Sequence, residues 1–583
     1  KFDNLVQMFL TRARGKGDAP FLLAKRSDGW QPVTWSEAAR QAAGLAASLK
    51  RIGLEPGERV MLVSENRPEW LIADLGIMAA GCVTVPTYTS NTVRDHGHIL
   101  GNSGAKAVIV STQKLAKTLL PAVLFSSECR HVIGIDDIRG GQGTEGTTFH
   151  HWAQMVGGGG DVEALERATA RIGRSELACI IYTSGTGGAP RGVMQHHGAI
   201  LHNCEGAADV IANDLGWGEE VFLSFLPASH AMEHSGGQHL PVALGAQIYY
   251  AESLDKLAAN IAEVRPTIMI VVPRLFEMLR ARILKSLEKS GALSNYLLER
   301  AVALGSDRYH GRLRPWNQPL DALLSLTVRR KVQAKFGGRI KAMVSGGAPL
   351  NPEVGLFFQS LGLKILQGYG QTEAAPVISC NRPSAGVRMD SVGPPLLNTE
   401  VRIAADGEIM VRGENVMHGY WRDPEESARV LRDPGPEPEA GAWLATGDVG
   451  HFDDGGRIVI TDRKKDLIVN DKGDNVSPQR IEGMLTLQPE IAQAMIYGDR
   501  KPHLVALLVP DPEIADGLDV QQRLSGAVDR VNRDLSTIER VRRFALADAP
   551  FTLDNEQMTP SLKIRRHVIT AAYRERLEAL YRR

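Results

Sequence analysis

Cysteine is scarce in this sequence: Cys82, Cys129, Cys179, Cys204 and Cys380 are five among 583 residues, widely scattered and without a C-x-x-C pair. Such spacing excludes a disulfide framework, offers no zinc site and fits a reducing compartment. Surplus charge is missing as well. Lys plus Arg and Asp plus Glu are equal at 67 each, so there is no basic footprint for nucleic acid, and any anionic ligand must be held locally. Nor is there an uncharged apolar run of about 18 residues. The nearest, Leu71 to Val85, contains Asp74 and two glycines and reads as helix, turn and strand of a packed core. A soluble, cytoplasmic protein is expected. No internal repeat occurs, and Gly157 to Gly160 is the one low-complexity spot, expected as a flexible surface loop. Two nucleotide fingerprints are absent. No G-x-G-x-x-G follows the first strand, and no Gly-Lys-[Ser/Thr] closes a Walker loop.

What is present is an ordinary globular composition, 43% hydrophobic and 23% charged with 59 Gly and 30 Pro, long enough for several domain-sized units and a large core. Arg59 to Thr89 reads as an apolar strand, a helix opened near Pro68 and a second strand ending at Pro86, a β-α-β unit. Further short β-rich runs at Ala107 to Val110, Val132 to Ile135, Ile248 to Tyr250 and Ile268 to Val272 alternate with helical stretches, the pattern of parallel sheets covered by helices. Beyond about residue 400 the signals become short and antiparallel, with a hairpin turn at Asp453 to Gly456. Ala492 to Asp511 holds two apolar runs around an Asp499 to Lys501 turn. This predicts an α/β chain with a separate small α+β domain at its C-terminal end.

Six segments in four groups carry chemistry. "IIYTSGTGGAPRGV" (Ile180 to Val193) is an apolar strand running into Thr183, Ser184, Gly185, Thr186, Gly187, Gly188 and Arg191. Its glycines let backbone N–H groups approach phosphate oxygens, its hydroxyls donate further bonds, and its arginine adds a fixed positive fork. "AMVSGGAPL" with Gly347 and "ILQGYGQTEAAP" with Gly368, Tyr369, Thr372 and Glu373 are strands ending in glycines, where parallel sheets bind ligands. There Tyr369 can stack on a base, Thr372 can donate to phosphate and Glu373 can ligate Mg²⁺. "GAWLATGDVG" places Asp448 where it can accept from two ribose hydroxyls, and "TDRKKDLIVNDKGDNVSP" follows with Arg463, Lys464, Lys465 and Gly473. "MTPSLKIRR" carries Lys563 on a Pro-marked turn. Each also has a bland reading: a flexible turn, a packing tyrosine, a solvated carboxylate or a charged surface.

Order and co-occurrence decide between these readings. "YTSGTGGAPRGV", "GYGQTE", "TGD", "DRKKD" and "TPSLK" stand in the order and approximate spacing of the acyl-adenylate-forming enzymes, and the resemblance covers essentially the whole chain. Within that superfamily the chain most resembles the long-chain fatty acyl-CoA synthetases through "SENRPEWLIADLGIMAAGCVTVPTY", "LSFLPASHAMEH", "VPRLFEML", a helical insertion from about Ile283 to Phe336, and "GENVMHGYWRDPE".

The resemblance implies a large N-terminal domain, residues 1–461, of helix-covered β-sheets plus a small β-barrel; a hinge, 462–466; and a mobile α+β C-terminal domain, 467–583. It implies a phosphate loop from Thr183 to Gly188, an adenine wall at Gly347, Gly368 and Tyr369, and α-phosphate and Mg²⁺ contacts at Thr372 and Glu373. Asp448 and Arg463 match the ribose binders, Lys465 the hinge, His230 the aromatic or histidine motif beside the acyl and CoA channels, Gly473 the pantetheine tunnel, and Lys563 the adenylation lysine. The implied reaction takes ATP, Mg²⁺, a fatty acid and coenzyme A to acyl-CoA, AMP and pyrophosphate, with no nucleic-acid partner. A homodimer and peripheral attachment to the inner face of a membrane accompany it as further expectations. A fatty acyl-AMP ligase, an aryl or medium-chain acyl-CoA ligase and a non-catalytic nucleotide-binding regulator are the alternatives.

Three departures from the family pattern stand out: Gly187 replaces the usual Thr, Arg191 the usual Lys, and Glu556 a Gly ahead of the last motif. Arginine keeps the charge but not the reach of lysine. His230 and Glu233 suggest a metal pair, yet the sequence brings no third ligand near them.

Overall fold

The computed structural model describes residues 1–583 apart from 141–145, 158–159, 184–188, 289–290, 433–440, 465–466, 472–474, 516, 518, 553, 560–563 and 583, and apart from the side chains of 286–288 and 475. The expected β-α-β unit forms strand Arg59–Val63, helix Pro68–Ala79 and strand Val83–Thr87, with the two strands parallel from Arg59↔Val83 to Val63↔Thr87. They are central in a seven-stranded sheet whose other members include Ala107–Val110, His131–Gly134 and the hairpin Leu177–Thr183/Arg191–His196. A second, eight-stranded sheet holds Ile268–Val271, Ala342–Ser345 and Ile365–Gly370 as adjacent parallel strands. Near-continuous Val, Ile, Leu and Met runs account for this, because both faces of such strands are covered by helices.

Helix Pro68–Ala79 shows why the run at Leu71 is apolar on every side. It is buried along its length except at Glu69 and packs on the first sheet through its flanking strands and on the second through Pro20–Arg26. A helix between two sheets has no solvent face to make polar. Its one buried charge, Asp74, is met by two histidines: His234 Nε2 and His239 Nε2 each lie 3.0 Å from Asp74 Oδ2. The turn His234–His239 is π-helical, and that wider turn brings side chains five apart onto one side. Burial raises the Asp74 carboxyl, but the two imidazoles outweigh it and hold it well below the usual carboxylate range.

Past residue 400, Glu400–Ile403, Glu408–Arg412, Leu431–Arg432, Trp443–Phe452 and Ile458–Arg463 form a five-stranded antiparallel sheet. It stands where the small barrel was expected, and no ladder closes it among the described residues. The predicted turn is present: Gly456 N–H donates to the Asp453 carbonyl and Gly455 N–H to Asp453 Oδ1. The smaller C-terminal domain has the expected hairpin, Ile491–Tyr497 against Leu504–Pro510, joined in parallel by Val541–Leu546 and covered by helices including Pro478–Leu485, Val520–Arg533 and Arg566–Ala579. Among its described residues the insertion is mainly helical, from Pro273–Glu288 through Ala292–Tyr309 to Arg330–Lys335, with a non-helical connection at 310–314.

Gly160 departs from the surface-loop expectation. A Cβ there would lie 2.3 Å from the Ala43 carbonyl carbon, so this glycine is needed for backbone contact with helix Trp35–Arg51. Among the described residues no helix is long and apolar enough to cross a membrane.

Candidate active site

The glycines of two motifs meet because their strands are neighbours. Ala342–Ser345 and Ile365–Gly370 run parallel with Ser345 opposite Gln367, so Gly346, Gly347, Gly368 and Tyr369 emerge together at the carboxyl edge of the eight-stranded sheet. Gly347 has φ +80°. Met232 lies over this wall, its sulfur 3.8 Å from where a Gly347 Cβ would stand, and it brings the His230 turn to the same edge. His230 is half-buried and caps that turn, its Nδ1 accepting from the Met232 N–H at 3.2 Å.

The short turn Thr372–Ala374 is pinned on several sides. Gln195 Nε2 donates to the Thr372 carbonyl at 2.7 Å, Met417 N–H to the Glu373 carbonyl at 2.9 Å, and Asn203 Nδ2 to the Ala374 carbonyl at 3.1 Å. Gln195 lies on a strand of the other sheet, so this contact fastens the two sheets together at the site. What remains free to act is the Glu373 side chain. Tyr420 Oη donates to Glu373 Oε1 at 2.8 Å, and Oε2 accepts no hydrogen bond among the described residues. Burial, and then the adjacent carboxylate, push the Tyr420 phenol up, so it stays a donor at any ordinary pH. A half-buried carboxylate with one oxygen held and the other available is a fitting hard donor for Mg²⁺.

Tyr420 also reaches the loop motif. Arg191 sits over its ring at 5.6 Å and pairs with Glu426 at 2.5 Å and Asp423 at 3.8 Å. Thr183 faces Arg191 across the hairpin. Arginine at the usual lysine position is thus engaged by two carboxylates and an aromatic face, contacts that suit a planar fork.

A second carboxylate is tied to the same sheet edge through Tyr369. Asp448, only 4% exposed, accepts from Tyr369 Oη at 2.7 Å and from Arg463 Nε at 3.1 Å, with Asp448 and Arg463 opposite one another across their hairpin. Burial and then Asp448 raise the Tyr369 phenol well above its ordinary value. Tyr369 therefore orients the carboxylate as well as lining the wall. Of the basic run, Lys464 turns away to Asp406 at 2.6 Å and Glu408 at 3.1 Å.

Glu233 does not form a metal pair with His230. Its carboxyl is buried, accepts from Ser224 Oγ at 2.5 Å and Gln238 Nε2 at 3.4 Å, and burial pushes it up to about 8. Asn66 joins the same network by donating to Ser224 Oγ at 2.9 Å. Beside it opens a cleft of about 290 Å³ lined by Asn66, Phe225, Pro227, Ser229, Ala251 and Leu254, among others.

The structure thus gathers Thr183, Arg191, Thr372, Glu373, Gly347, Gly368, Tyr369, Asp448, Arg463 and His230 around one sheet edge. Ser184, Gly185, Thr186, Gly187, Gly188, Lys465, Gly473 and Lys563 lie outside the described residues. Tyr420, Gln195 and Asn203 were missed by the sequence reading. Tyr420 stood in a quoted motif, but nothing local in "HGYWRDPE" says which carboxylate its hydroxyl meets.

A family model described as AMP-binding enzyme matches residues 9–421, and one described as AMP-binding enzyme C-terminal domain matches residues 465–583. The chain is 30% identical over 608 residues to the long-chain-fatty-acid–CoA ligase FadD15 of Mycobacterium tuberculosis, covering 99% of this chain and 97% of that one. It is 28% identical to the chloroplastic long-chain-fatty-acid–[acyl-carrier-protein] ligase AEE15 of Arabidopsis thaliana, covering 97% and 85%. Among solved structures, the anthranilate CoA ligase AuaEII in complex with anthranoyl-AMP superposes with a TM-score of 0.73 at 20% identity, covering 98% of each chain.

Proposed function

This chain belongs to the AMP-binding enzyme family, and from that premise we propose that it is a long-chain fatty acid:CoA ligase, forming acyl-AMP from a fatty acid and ATP and then acyl-CoA. The observation that carries this reading is the pair of oriented carboxylates, Glu373 on Tyr420 and Asp448 on Tyr369 and Arg463, at one sheet edge.

A free carboxylate is a poor acyl donor because its leaving group would be oxide. Attack of a carboxylate oxygen on the α-phosphorus of ATP expels pyrophosphate and leaves a mixed anhydride, whose leaving group is AMP. A thiol then adds to the acyl carbon, AMP departs, and a thioester remains. In the first step two anions meet. Thr372 would donate to the α-phosphate, Asp448 would accept from the ribose hydroxyls, Tyr369 and the Gly347 and Gly368 backbone would sandwich the adenine, and Lys563 would bring positive charge to the transferring phosphate. Glu373 would hold Mg²⁺, which when bound neutralises developing phosphate charge. Lys563 and Gly473 fall in the stretch matched by the C-terminal family model, and a swing about Lys465 would exchange one for the other at the same site. His230 would stand at the acyl and thiol channels. Peripheral attachment to a membrane and a homodimer belong to this reading too.

The test is pyrophosphate release with ATP, Mg²⁺ and carboxylic acids from acetate to stearate, with CoA, with an acyl carrier protein and without a thiol. Release that depends on a long-chain acid, with thioester only when CoA is present, is expected. Product that stops at acyl-AMP, transfer only to the carrier protein, a preference for aryl acids, or nucleotide binding without turnover would each replace the assignment.

A further inference from the structure

One polar cluster is wholly enclosed by the fold and joins none of the nucleotide contacts. Asp74, His234 and His239 are 0% exposed, and three of their atoms converge on one point. His234 Nε2 and His239 Nε2 each stand 3.0 Å from Asp74 Oδ2, and the three atoms lie within 4.8 Å of one another. Hydrogen bonding alone does not explain this form. A carboxylate carries lone pairs on both oxygens, yet both imidazoles meet Oδ2 while Asp74 Oδ1 accepts nothing. Nor does Asp74 pair with a lysine or arginine among the described residues, although a carboxylate taken out of water needs positive charge beside it. Trp70, four residues earlier on the same helix and edge-on to the His234 ring, keeps its buried Nε1–H without an acceptor, so a donor at hand is not turned on the carboxylate.

Donor chemistry and spacing both point to a cation. Burial holds His239 below its ordinary value, and for Asp74 burial is outweighed by the two imidazoles. One therefore offers a neutral ring nitrogen and the other an anionic oxygen, the forms that coordinate a metal. In an α-helix two histidines four apart share one face and can hold one ion. In the π-helical turn His234–His239 the equivalent step is five, because the turn is wider. The carboxylate comes from a separate helix, Pro68–Ala79. Tetrahedral bonds of about 2.0–2.1 Å set ligand atoms about 3.3 Å apart, so each nitrogen need move only about 0.3 Å from its present 3.0 Å to admit the ion. Two imidazoles with one carboxylate suit a first-row transition ion, whereas Mg²⁺ and Ca²⁺ take oxygen.

We propose that Asp74, His234 and His239 form a structural site for a divalent transition ion of the zinc class, which clamps helix Pro68–Ala79 to the π-helical turn. Asp74 Oδ1 or one water completes its shell. The helix packs on the seven-stranded sheet and the turn on strands Val221–Ser224 and Ile268–Val271 of the eight-stranded one, so the ion fastens one sheet to the other. It does so behind the site, because Ser235, next to His234 in the turn, donates to the Ala375 carbonyl at 2.9 Å, directly after Thr372–Ala374. With every ligand enclosed, the ion enters as the chain folds and leaves only when it unfolds.

The test uses the full-length protein without a histidine tag, produced in zinc-supplemented medium and dialysed against EDTA. Elemental analysis should find about one zinc per chain, released only in guanidinium chloride, and anomalous diffraction at the zinc edge should place it between Asp74, His234 and His239. Asp74→Asn and His239→Gln keep a hydrogen-bonding group of similar size. Each should retain less than about a tenth of the wild-type zinc, since a lost ligand weakens binding more than the roughly 10- to 100-fold of a lost outer partner. Wild-type protein free of zinc and of any other transition metal after dialysis overturns the proposal, leaving a hydrogen-bonded trio. So does anomalous density found only elsewhere, as at Glu373, or folded variants that keep the full zinc content. Where a variant does not fold, the wild-type density decides by itself. No measurement includes ATP, an acid or CoA, so the result is independent of the ligase reading.

Discussion

Replacing Tyr420 by phenylalanine deletes one oxygen and little else, and it tests whether Glu373 is a working ligand or a carboxylate that happens to be near. The phenol donates at 2.8 Å to Glu373 Oε1 and the tyrosine is 8% exposed, so the bond is charge-assisted and mostly shielded. Hydrogen bonds to charged groups contribute about 1.5–3 kcal/mol, and discounting for the partial exposure of Glu373 leaves about 1–2 kcal/mol. If the oriented carboxylate is needed in the transition state, the loss appears as a fall of about 5- to 30-fold in kcat/KM for pyrophosphate release. Part of it should return at high Mg²⁺, because the remaining oxygen still binds but is less well aimed. Glu373→Gln alone should cost orders of magnitude, since it removes a charged ligand where phosphate charge develops. The double variant decides the matter. Acting through Glu373, the hydroxyl should matter little once the carboxylate is gone. An equal fall with and without Glu373, in folded protein, would refute the reasoning.

Three further outcomes follow from the same geometry. Lys563→Ala should abolish acyl-adenylate formation yet still convert supplied acyl-AMP and CoA to thioester, whereas Lys465→Pro should do the reverse by fixing a hinge φ near −65°; equal loss of both half-reactions in both variants would end the domain-swing account. Arg191→Lys should keep a pair with Glu426 but lose the fork and the fit to the Tyr420 ring, so pyrophosphate release should change by no more than about fivefold. A far larger loss would mean that this arginine touches the triphosphate. Glu233, pushed up to about 8 by burial, stays protonated in the fold at pH values where the unfolded chain, with a pKa of about 4.3, has released the proton. The folded state therefore binds more protons than the unfolded state between those values, and wild-type stability falls by on the order of 1 kcal/mol per pH unit as pH rises from about 5 to 8. Urea unfolding should show Glu233→Gln free of that component; identical slopes would place the proton elsewhere.

The sequence by itself determined the elements and the list of chemical parts. The Arg59 to Thr89 unit, the 268–272 strand, the Asp453 turn and the C-terminal hairpin were legible because each rests on neighbours a few residues away, through apolar runs and turn-forming residues. The glycine-rich strand ends were legible for the same reason. Partnership was not. Tyr420 meets a carboxylate 47 positions earlier, and Arg191 meets one 235 positions later; such pairs exist only once strand order and sheet packing have been chosen. Asp74 argued at first only against a membrane span, and the tertiary structure made it the anchor of two histidines across the space between sheets. Gly160 read as a loosener of chain and serves as a point of close backbone contact. The outward leucines of the insertion have the same identity as inward ones, and only the packed structure decided which side of each helix the core had already filled.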